Sequence, residues 1–305
     1  MPSQHQGGED ASHSQRRDNG SADSLLRQAK SFLQSGDLSS AELAARKYLQ
    51  THANSIDAHF LLGNILFRET KPKESLAEYT EGARFHAPGT FDLKVVALDY
   101  VLLGDYADAD KWFSKSLQEN PKDSQAWYYL GRTKYNESRL DEAVGAFRQC
   151  LNLEPKNVKA EDNLGLSYEG LGRTEEAATA YRTAIAWQTQ SLDKTAGPFI
   201  DLGALLLKQN LAEEALPYLQ QAVEVSPKDA RAYEYLGKAY SDLNQMDEAQ
   251  KQLERAVTIA PQSARLHFIL GQIYRKEGLT QKAKIELERA SQLNGLSETT
   301  QYPEP

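Results

Sequence analysis

The chain is poor in the residues that build covalent or metal-bound frameworks. Its 305 residues include one cysteine, Cys150, so neither an intrachain disulfide nor a cysteine metal cluster is expected. No window approaches the roughly 18 to 20 consecutive apolar residues that span a bilayer, and residues 1–20 lack the apolar core of a signal peptide. We therefore expect no membrane insertion and a cytoplasmic location, or a periplasmic or secreted one if an upstream leader was removed.

Sequence motifs of catalysis and cofactor binding are also missing. The chain has no Walker-type glycine loop and no GxGxxG, HExxH or GxSxG motif. No histidine lies at metal-ligand spacing from another on a predicted helix face. These absences predict a protein that is not an enzyme and has no catalytic residue, no metal site and no cofactor.

An excess of acidic residues limits the class of partner. Lysine and arginine number 35 against 43 aspartates and glutamates, which gives a formal net charge of -8. Such a chain as a whole repels phosphate backbones and anionic lipid. Nucleic acid is therefore not an expected partner.

A period of 34 residues is what the sequence does contain. The dipeptide Leu-Gly recurs at Leu62-Gly63, Leu130-Gly131, Leu164-Gly165, Leu202-Gly203, Leu236-Gly237 and Leu270-Gly271. Successive glycines are separated by 68, 34, 38, 34 and 34 residues. Eight repeats fit this spacing, with a four-residue insertion between Gly165 and Gly203.

Each repeat has the pattern of two short helices, because apolar residues recur at i, i+3, i+4 and i+7. In residues 230–263, Gly237 is a notch, the small Ala249 allows close approach of the second helix, and Leu253 fills the space between them. Residues that tolerate a left-handed conformation separate the helices at Gly36, Gly104, Gly172, Asn210, Asn244 and Gly278. Four repeats close at Pro121, Pro155, Pro227 and Pro261.

This pattern resembles the tetratricopeptide repeat, whose signature is Trp-x2-Leu-Gly-x2-Tyr, then Ala-x3-Phe, then Pro. Residues 230–263 match it with Tyr233 in the tryptophan slot, and residues 124–157 match it except for Lys134 in the tyrosine slot. The resemblance covers about residues 22–297. It implies an all-α fold, a right-handed α-solenoid (superhelix) of antiparallel helix pairs.

The insertion suggests how the array is divided. We predict a disordered segment at residues 1–21, repeats 1–5 at residues 22–195, repeats 6–8 at residues 196–297 and a flexible tail at residues 298–305. The insertion falls within Trp187–Gly197 and is expected to lengthen the second helix of repeat 5 by about one turn, roughly 6 Å. The last helix is expected to end near Leu293.

Two features that resemble chemical sites have simpler interpretations. Cys150 occupies a slot that is alanine in other repeats, which predicts a core thiol. The run Asp105, Asp108 and Asp110 resembles half of a calcium loop but lacks its glycine and distal glutamate. Capping of the following helix is the better interpretation, because acids are favourable at helix N-termini.

The resemblance implies that the first helices of successive repeats line a concave groove. In repeats 2 to 4 the exposed positions are predicted at Phe60, Asn64, Phe67, Arg68, Phe91, Lys94, Leu98, Val101, Tyr128, Arg132 and Tyr135. So many apolar and aromatic side chains favour a groove for an apolar or aromatic peptide. The alternative is that they only pack between neighbouring repeats.

In repeats 7 and 8 the same positions are Arg231, Glu234, Lys238, Arg265, Gln272, Arg275 and Lys276, so Arg and Lys cluster there. Clustered cations favour an acidic segment or a chain-terminal carboxylate, and a solvated helix face is the alternative. Chaperone-tail binding is disfavoured, because no three adjacent repeats supply the Lys, Asn, Asn, Lys and Arg of that clamp.

These observations predict a non-catalytic protein–protein interaction scaffold or adaptor. It would bind a protein or peptide partner with apolar or aromatic and acidic segments in its groove. The alternative function is a noncatalytic subunit of a bacterial-type secretion, pilus or envelope-assembly complex. The sequence leaves homo-oligomerisation open and does not identify the partner or the pathway.

Overall fold

The computed structural model describes residues 24–189 and 194–301, with side chains up to residue 295. The predicted disordered segment at residues 1–21 lies outside the described residues. Within the described part of the chain all regular secondary structure is helical, in sixteen helices. The all-α prediction is confirmed.

The helices form two compact units, one ending at Leu153 and the other beginning at Glu154. The first unit contains α1 (residues 24–35), α2 (Leu38–Leu49), α3 (Ile56–Arg68), α4 (Pro72–Ala83), α5 (Thr90–Leu102), α6 (Tyr106–Glu119), α7 (Ser124–Asn136) and α8 (Leu140–Leu153). The second contains α9 (Val158–Gly170), α10 (Thr174–Gln188), α11 (Gly197–Lys208), α12 (Ala212–Val225), α13 (Ala230–Asp242), α14 (Met246–Ile259), α15 (Ala264–Lys276) and α16 (Thr280–Gln301). Odd-numbered helices are the first helix of a repeat, called helix A, and even-numbered helices are helix B. The predicted division after repeat 5 stays a prediction.

Each unit is a stack of helix pairs. Helix A packs on helix B of its own repeat, and each helix B packs on the next helix A. Helices A of successive repeats also contact one another directly, α3 with α5 and α5 with α7 in the first unit, and α9 with α11 and α11 with α13 in the second. Helices A therefore form one surface of each unit, which we call the helix-A face.

The small residue in helix A is required by the large residue in helix B. A β-carbon added at Gly203 would lie 2.5 Å from Leu219 Cδ2, and one added at Gly165 would lie 2.5 Å from Tyr181 Cε1. Both large side chains are fully buried. The alternation of small and large residues predicted from the sequence is the packing that joins each helix pair.

One residue in every turn between helix A and helix B has a positive φ angle. These residues are Gly36, Thr70, Gly104, Ser138, Gly172, Asn210, Asn244 and Gly278, with φ between 58° and 83°. Six are the glycines and asparagines predicted to break the helices, and Thr70 and Ser138 were not predicted. An L-residue in this region is strained, so the packing of the helices on either side holds these two turns in place.

Successive repeats are also tied by a hydrogen bond from the fourth residue of helix A. In four repeats the side chain of this residue donates a hydrogen bond to the backbone carbonyl oxygen six residues earlier. The four bonds are His59 Nε2 to Ala53 (2.8 Å), Trp127 Nε1 to Pro121 (2.9 Å), Tyr233 Oη to Pro227 (3.4 Å) and His267 Nε2 to Pro261 (3.0 Å). A carbonyl oxygen only accepts, so each histidine carries a proton on Nε2. This explains why the tryptophan slot accepts tyrosine and histidine, which also carry a donor.

The insertion in repeat 5 does not add a helical turn, so that prediction was wrong. The stretch from the turn residue to the last helical residue is only one residue longer in repeat 5, from Gly172 to Gln188, than in repeat 6, from Asn210 to Val225. The buried Gln188 amide instead bridges to Thr195, donating from Nε2 to its carbonyl (3.0 Å) and accepting from its backbone N–H (2.8 Å). The Gln188 side chain thus ties the end of α10 to the start of the segment that leads into α11.

The last helix is longer than expected. α16 continues to Gln301, beyond the predicted end near Leu293 and into the predicted tail at residues 298–305. Residues 302–305 lie outside the described part of the chain.

Candidate functional site on the helix-A face

An apolar stripe runs along α5 in repeat 3. Because successive residues of an α-helix are rotated by about 100°, Phe91, Leu98 and Leu102 lie within about 40° of one another around the axis. Phe91 is 52% exposed and Leu102 is 51% exposed, and Leu98 is partly buried. Phe91 and Leu98 are predicted groove residues, whereas Leu102 was not predicted, although its four-residue spacing from Leu98 indicates the same face.

The predicted groove aromatics of repeat 2 are packing residues. Phe60 and Phe67 are partly buried against the core cluster of Tyr79, Val95 and Val96, and the Phe60 ring centroid is 5.7 Å from that of Tyr79. Since Val95 and Val96 belong to the next repeat, these two rings join repeats 2 and 3. Packing, the alternative interpretation of these two residues, is the one that the structure supports.

Beside these rings, the polar groove residues of repeat 2 stay near solvent. Asn64 is partly buried and Arg68 is exposed. The Arg68 Nη1 donates to the Leu33 carbonyl at the end of α1 at 3.5 Å. Arg68 therefore links two helices A while most of its guanidinium faces solvent.

In repeat 4 the predicted groove residues are partly covered by one another. The Tyr128 ring contacts Tyr129 edge-on, with centroids 5.4 Å apart, and lies 6.1 Å from the Phe147 ring. The exposed Arg132 guanidinium lies 5.9 Å from the Tyr128 centroid, within the range of a cation–π contact. Tyr135 is partly buried.

Lys94 joins repeats 3 and 4. Its ammonium donates to Asp123 Oδ2 (2.8 Å) and to Gln125 Oε1 (3.0 Å), and its side chain is 13% exposed. Burial opposes ionisation of Asp123, but the hydrogen bond and charge of Lys94 and the backbone N–H groups of Ala126 and Gln125 together outweigh it, so the pKa of Asp123 lies below its ordinary value. Lys94 is therefore engaged within the protein and not offered to a ligand.

Two of the predicted basic residues in the second unit neutralise acids of the preceding helix A. Arg231 lies 2.8 Å from Asp201, and Arg265 lies 2.5 Å from Glu234. The carboxylates are 11% and 9% exposed, whereas the arginines are 57% and 66% exposed. Burial raises the pKa of Asp201 and of Glu234, and the arginine charges oppose that rise.

The other three predicted basic residues of repeats 7 and 8 form no salt bridge in the described part of the chain. Lys238, Arg275 and Lys276 are all exposed. Arg275 donates to Gln272 at 2.5 Å and Lys276 to Ser241 at 3.2 Å, and both acceptors are neutral. The helix-A face therefore has uncompensated positive charge in these two repeats.

Repeats 5 and 6 differ, because their helix-A positions are acidic. Burial and, to a smaller extent, the nearby Asp201 charge raise the pKa of Asp162 to about 8, against the opposing charge of Arg231. Asp162 was not predicted from the sequence, because its polar neighbours are brought together only by the packing of α9, α11 and α13.

Two sequence interpretations outside this face are confirmed. Cys150 is fully buried in the core. Asp105 caps α6, since its Oδ1 accepts from the Asp108 backbone N–H at 3.1 Å.

Two kinds of structure are absent from the described ranges, residues 24–189 and 194–301. No helix there combines the length and the apolarity needed to cross a bilayer. No set of three or more His, Cys, Asp or Glu side chains there is arranged to hold a metal ion.

Stacked helix pairs with a 34-residue period define a helical repeat protein of the solenoid class. Tetratricopeptide repeat models match residues 26–89, 124–157, 156–228, 206–273 and 264–295. The chain belongs to the tetratricopeptide repeat family. Residues 90–123, which are repeat 3, lie outside these five matches, and this is the repeat that carries the apolar stripe.

Curated relatives share only part of their length with this chain. The PEX5-related protein of Homo sapiens is 26% identical over 125 residues, which is 39% of this chain and 20% of that protein. The peroxisomal targeting signal receptor of Saccharomyces cerevisiae is 32% identical over 98 residues, 32% of this chain and 16% of the receptor. The protein O-mannosyl-transferase TMTC3 of Homo sapiens is 26% identical over 132 residues, 40% of this chain and 14% of that protein. The chain therefore matches a fifth or less of each of these relatives.

Solved structures resemble a larger share of the chain. A tetratricopeptide repeat protein from Parabacteroides merdae superposes with a TM-score of 0.66 at 20% identity, covering 89% of this chain and 99% of that one. PilW, a type IV pilus biogenesis factor, superposes with a TM-score of 0.59 at 22% identity, covering 68% and 92%. At these identities the likeness shows the fold alone.

Proposed function

We propose that this chain is a non-catalytic scaffold that binds a protein or peptide partner on its helix-A face. The observation that carries the proposal is the stripe of Phe91, Leu98 and Leu102 on α5. Two of its three large apolar side chains are half exposed, and burying such surface against a partner releases roughly 25 cal/mol for each Å². A stripe of this kind marks a binding surface better than scattered single apolar residues do.

The second unit supports a complementary contact. Lys238, Arg275 and Lys276 form no salt bridge on the described helix-A face of repeats 7 and 8, so an acidic segment of a partner would be attracted there. Arg231 and Arg265 already neutralise buried carboxylates. We therefore assign the partner contact to the three uncompensated cations.

The comparisons support this proposal to different degrees. The yeast relative is by name a receptor for a targeting signal, which accords with peptide recognition by a related repeat array. TMTC3 is by name a transferase, but this chain matches 14% of that protein. The likeness to PilW concerns the fold alone, so the alternative role in a pilus, secretion or envelope complex stays a prediction.

A random peptide library displayed on phage tests the apolar stripe. The chain and a variant with Phe91→Ser and Leu102→Ser would be used as separate baits. We expect the chain to enrich peptides with apolar or aromatic residues, and the double variant to bind the same peptides at least tenfold more weakly, since each lost apolar contact is worth about 1 kcal/mol or more.

The matched control is Phe85→Ser. Phe85 is 51% exposed, almost the same as Phe91, but it lies in the connection between α4 and α5 and not on a helix A. This control should bind the selected peptides as the unchanged chain does. Equal binding of those peptides to the double variant would show that the stripe is not the binding surface.

A further inference from the structure

Asp99 is a fully buried carboxyl group in the middle of α5, with 0% exposure. The equivalent residues of six other repeats are Ile65, Thr133, Ser167, Leu205, Ala239 and Ile273. An ionised carboxylate in such a place is costly unless a cation or several hydrogen bonds stabilise it. The partners of Asp99 therefore decide which form it takes.

The hydrogen bonds around Asp99 require one proton more than its neighbour Ser75 can supply. Ser75 Oγ lies 2.8 Å from the Gly63 carbonyl oxygen and 2.5 Å from Asp99 Oδ2. A serine hydroxyl has a single proton and cannot donate to both oxygens. The carbonyl has no proton to give, so both contacts are hydrogen bonds only when the carboxyl of Asp99 carries the second proton and donates it to Ser75 Oγ; when Asp99 is ionised, Ser75 can donate to it instead.

No cation compensates the Asp99 carboxyl within the described ranges of the chain. The ionisable group near it is the Tyr79 phenol on α4, which cannot be positively charged. α3 presents the Gly63 carbonyl, and α6 packs the apolar Ala109 and Phe113 on this part of α5. Asp99 Oδ1 has no hydrogen-bond partner.

We propose that Asp99 is a proton-binding site that holds the junction of repeats 2 and 3 together. When the proton is present, the chain of hydrogen bonds runs from Asp99 through Ser75 to Gly63 and ties α5 and α4 to α3. When it is lost, the Ser75 hydroxyl donates to the Asp99 carboxylate and gives up the Gly63 carbonyl, so a carboxylate with one hydrogen-bond donor remains among apolar side chains and the junction is destabilised.

The direction of the pH dependence follows from the shift. Burial raises the pKa of Asp99 from an ordinary 3.8 to about 7, against the opposing effect of the Ser75 hydrogen bond. Between these two values the folded chain holds a proton that the unfolded chain has lost. The folding equilibrium constant therefore falls about tenfold for each pH unit over that window and levels off above it.

Urea unfolding of the chain and of Asp99→Asn at several pH values tests the proposal. The asparagine amide donates to Ser75 Oγ as the protonated acid does, but it cannot ionise. The ratio of the two folding constants, native chain over variant, should fall about a hundredfold between about pH 5 and about pH 8. A ratio that stays constant over this range would overturn the proposal.

A control and a direct observation accompany this measurement. Asp57→Asn changes an exposed aspartate on α3, and its ratio to the native chain should not change in the same way. Infrared spectra of Asp162→Asn, which removes the other carboxyl whose pKa is raised to about 8, should still show a carboxylic acid C=O band that titrates with a midpoint near neutral pH. The absence of that band would contradict the proposal even if Asp99→Asn failed to fold.

Discussion

Phe147 lies so close to Gly131 that a β-carbon added to the glycine would come within 2.6 Å of the ring Cε1. The ring is fully buried and cannot move away cheaply. We expect Gly131→Ala to lower the free energy of unfolding by about 1–3 kcal/mol, the usual cost of overpacking a core. Urea unfolding followed by circular dichroism measures this loss.

Gly145 is the matched control for that substitution. It lies in α8 of the same repeat, is exposed, and has no atom within 4 Å of an added β-carbon. Gly145→Ala should raise the free energy of unfolding by about 0.5–1 kcal/mol, because alanine is the better helix former. Equal effects at the two positions would refute the packing argument.

Thr70 and Gly104 occupy the same turn position in successive repeats, with φ of 58° and 75°. A threonine is strained there and a glycine is not. Thr70→Gly should therefore leave stability unchanged or raise it by up to about 1 kcal/mol, whereas Gly104→Thr should lower it by about 1–2 kcal/mol. Thermal unfolding of the two variants in parallel distinguishes these outcomes, and a stabilising Gly104→Thr would contradict the backbone argument.

Glu42 joins repeats 1 and 2, since it lies 2.6 Å from Arg46 and 2.9 Å from Lys71. Burial raises its pKa, but the Lys71 and Arg46 hydrogen bonds outweigh burial and lower the pKa from 4.5 to about 2. Because the folded pKa is depressed, this stability is present above pH 4.5 and is lost as the pH falls towards about 2.

Glu42→Gln should accordingly lower the free energy of unfolding by about 1–2 kcal/mol near neutral pH. This is less than the shift of the Glu42 pKa alone implies, because the side chains of Arg46 and Lys71 are about two-fifths exposed and solvent weakens the ion pairs. The difference from the native chain should vanish in strong acid. Glu74→Gln, at a 56% exposed residue that also contacts Arg46, should cost less than about 0.5 kcal/mol. A pH-independent effect of Glu42→Gln in urea unfolding would show that its charge is not what matters.

Arg265 and Lys238 are both cations of the helix-A face, but they differ in what they contact. Arg265→Glu would place a second carboxylate beside Glu234, which is 9% exposed, and should cost about 1–2 kcal/mol of stability. Lys238→Glu breaks no salt bridge in the described structure, but the Lys238 charge helps to lower the pKa of Glu234, so we expect a loss of stability smaller than that of Arg265→Glu. Thermal melting compares the stabilities of the two variants. If Lys238→Glu loses salt-sensitive binding of an acidic peptide and Arg265→Glu does not, Lys238 belongs to the partner contact.

Much of the fold could be predicted because its signals are local and repeated. The glycine slot, the alanine slot and the turn residues each recur at the same phase, and the packing of Gly203 on Leu219 is what they predict. The turns at Thr70 and Ser138 escaped prediction, because neither residue favours a left-handed conformation by itself. The end of α10 was also mispredicted, because the helix ends at Gln188, whose side chain bonds the backbone of Thr195 seven residues further along the chain.

Less of the candidate site could be predicted. Phe60 and Phe268 are the same slot in repeats 2 and 8, yet Phe60 packs against the next repeat while Phe268 is 52% exposed in the last described repeat. The sequence likewise showed that Arg231 is basic, but not that it neutralises Asp201. In both cases the answer depends on a residue about one repeat away.

The sequence by itself determined the helix pairs, their period and the family, because the steric needs of a helix and of its small-to-large contact are met within 34 residues. Only the tertiary structure decided which side chains of the helix-A face are free, which are ion-paired and why Asp99 requires a proton. Burial, charge pairing and hydrogen bonding are properties of neighbours, and those neighbours belong to the adjacent repeats.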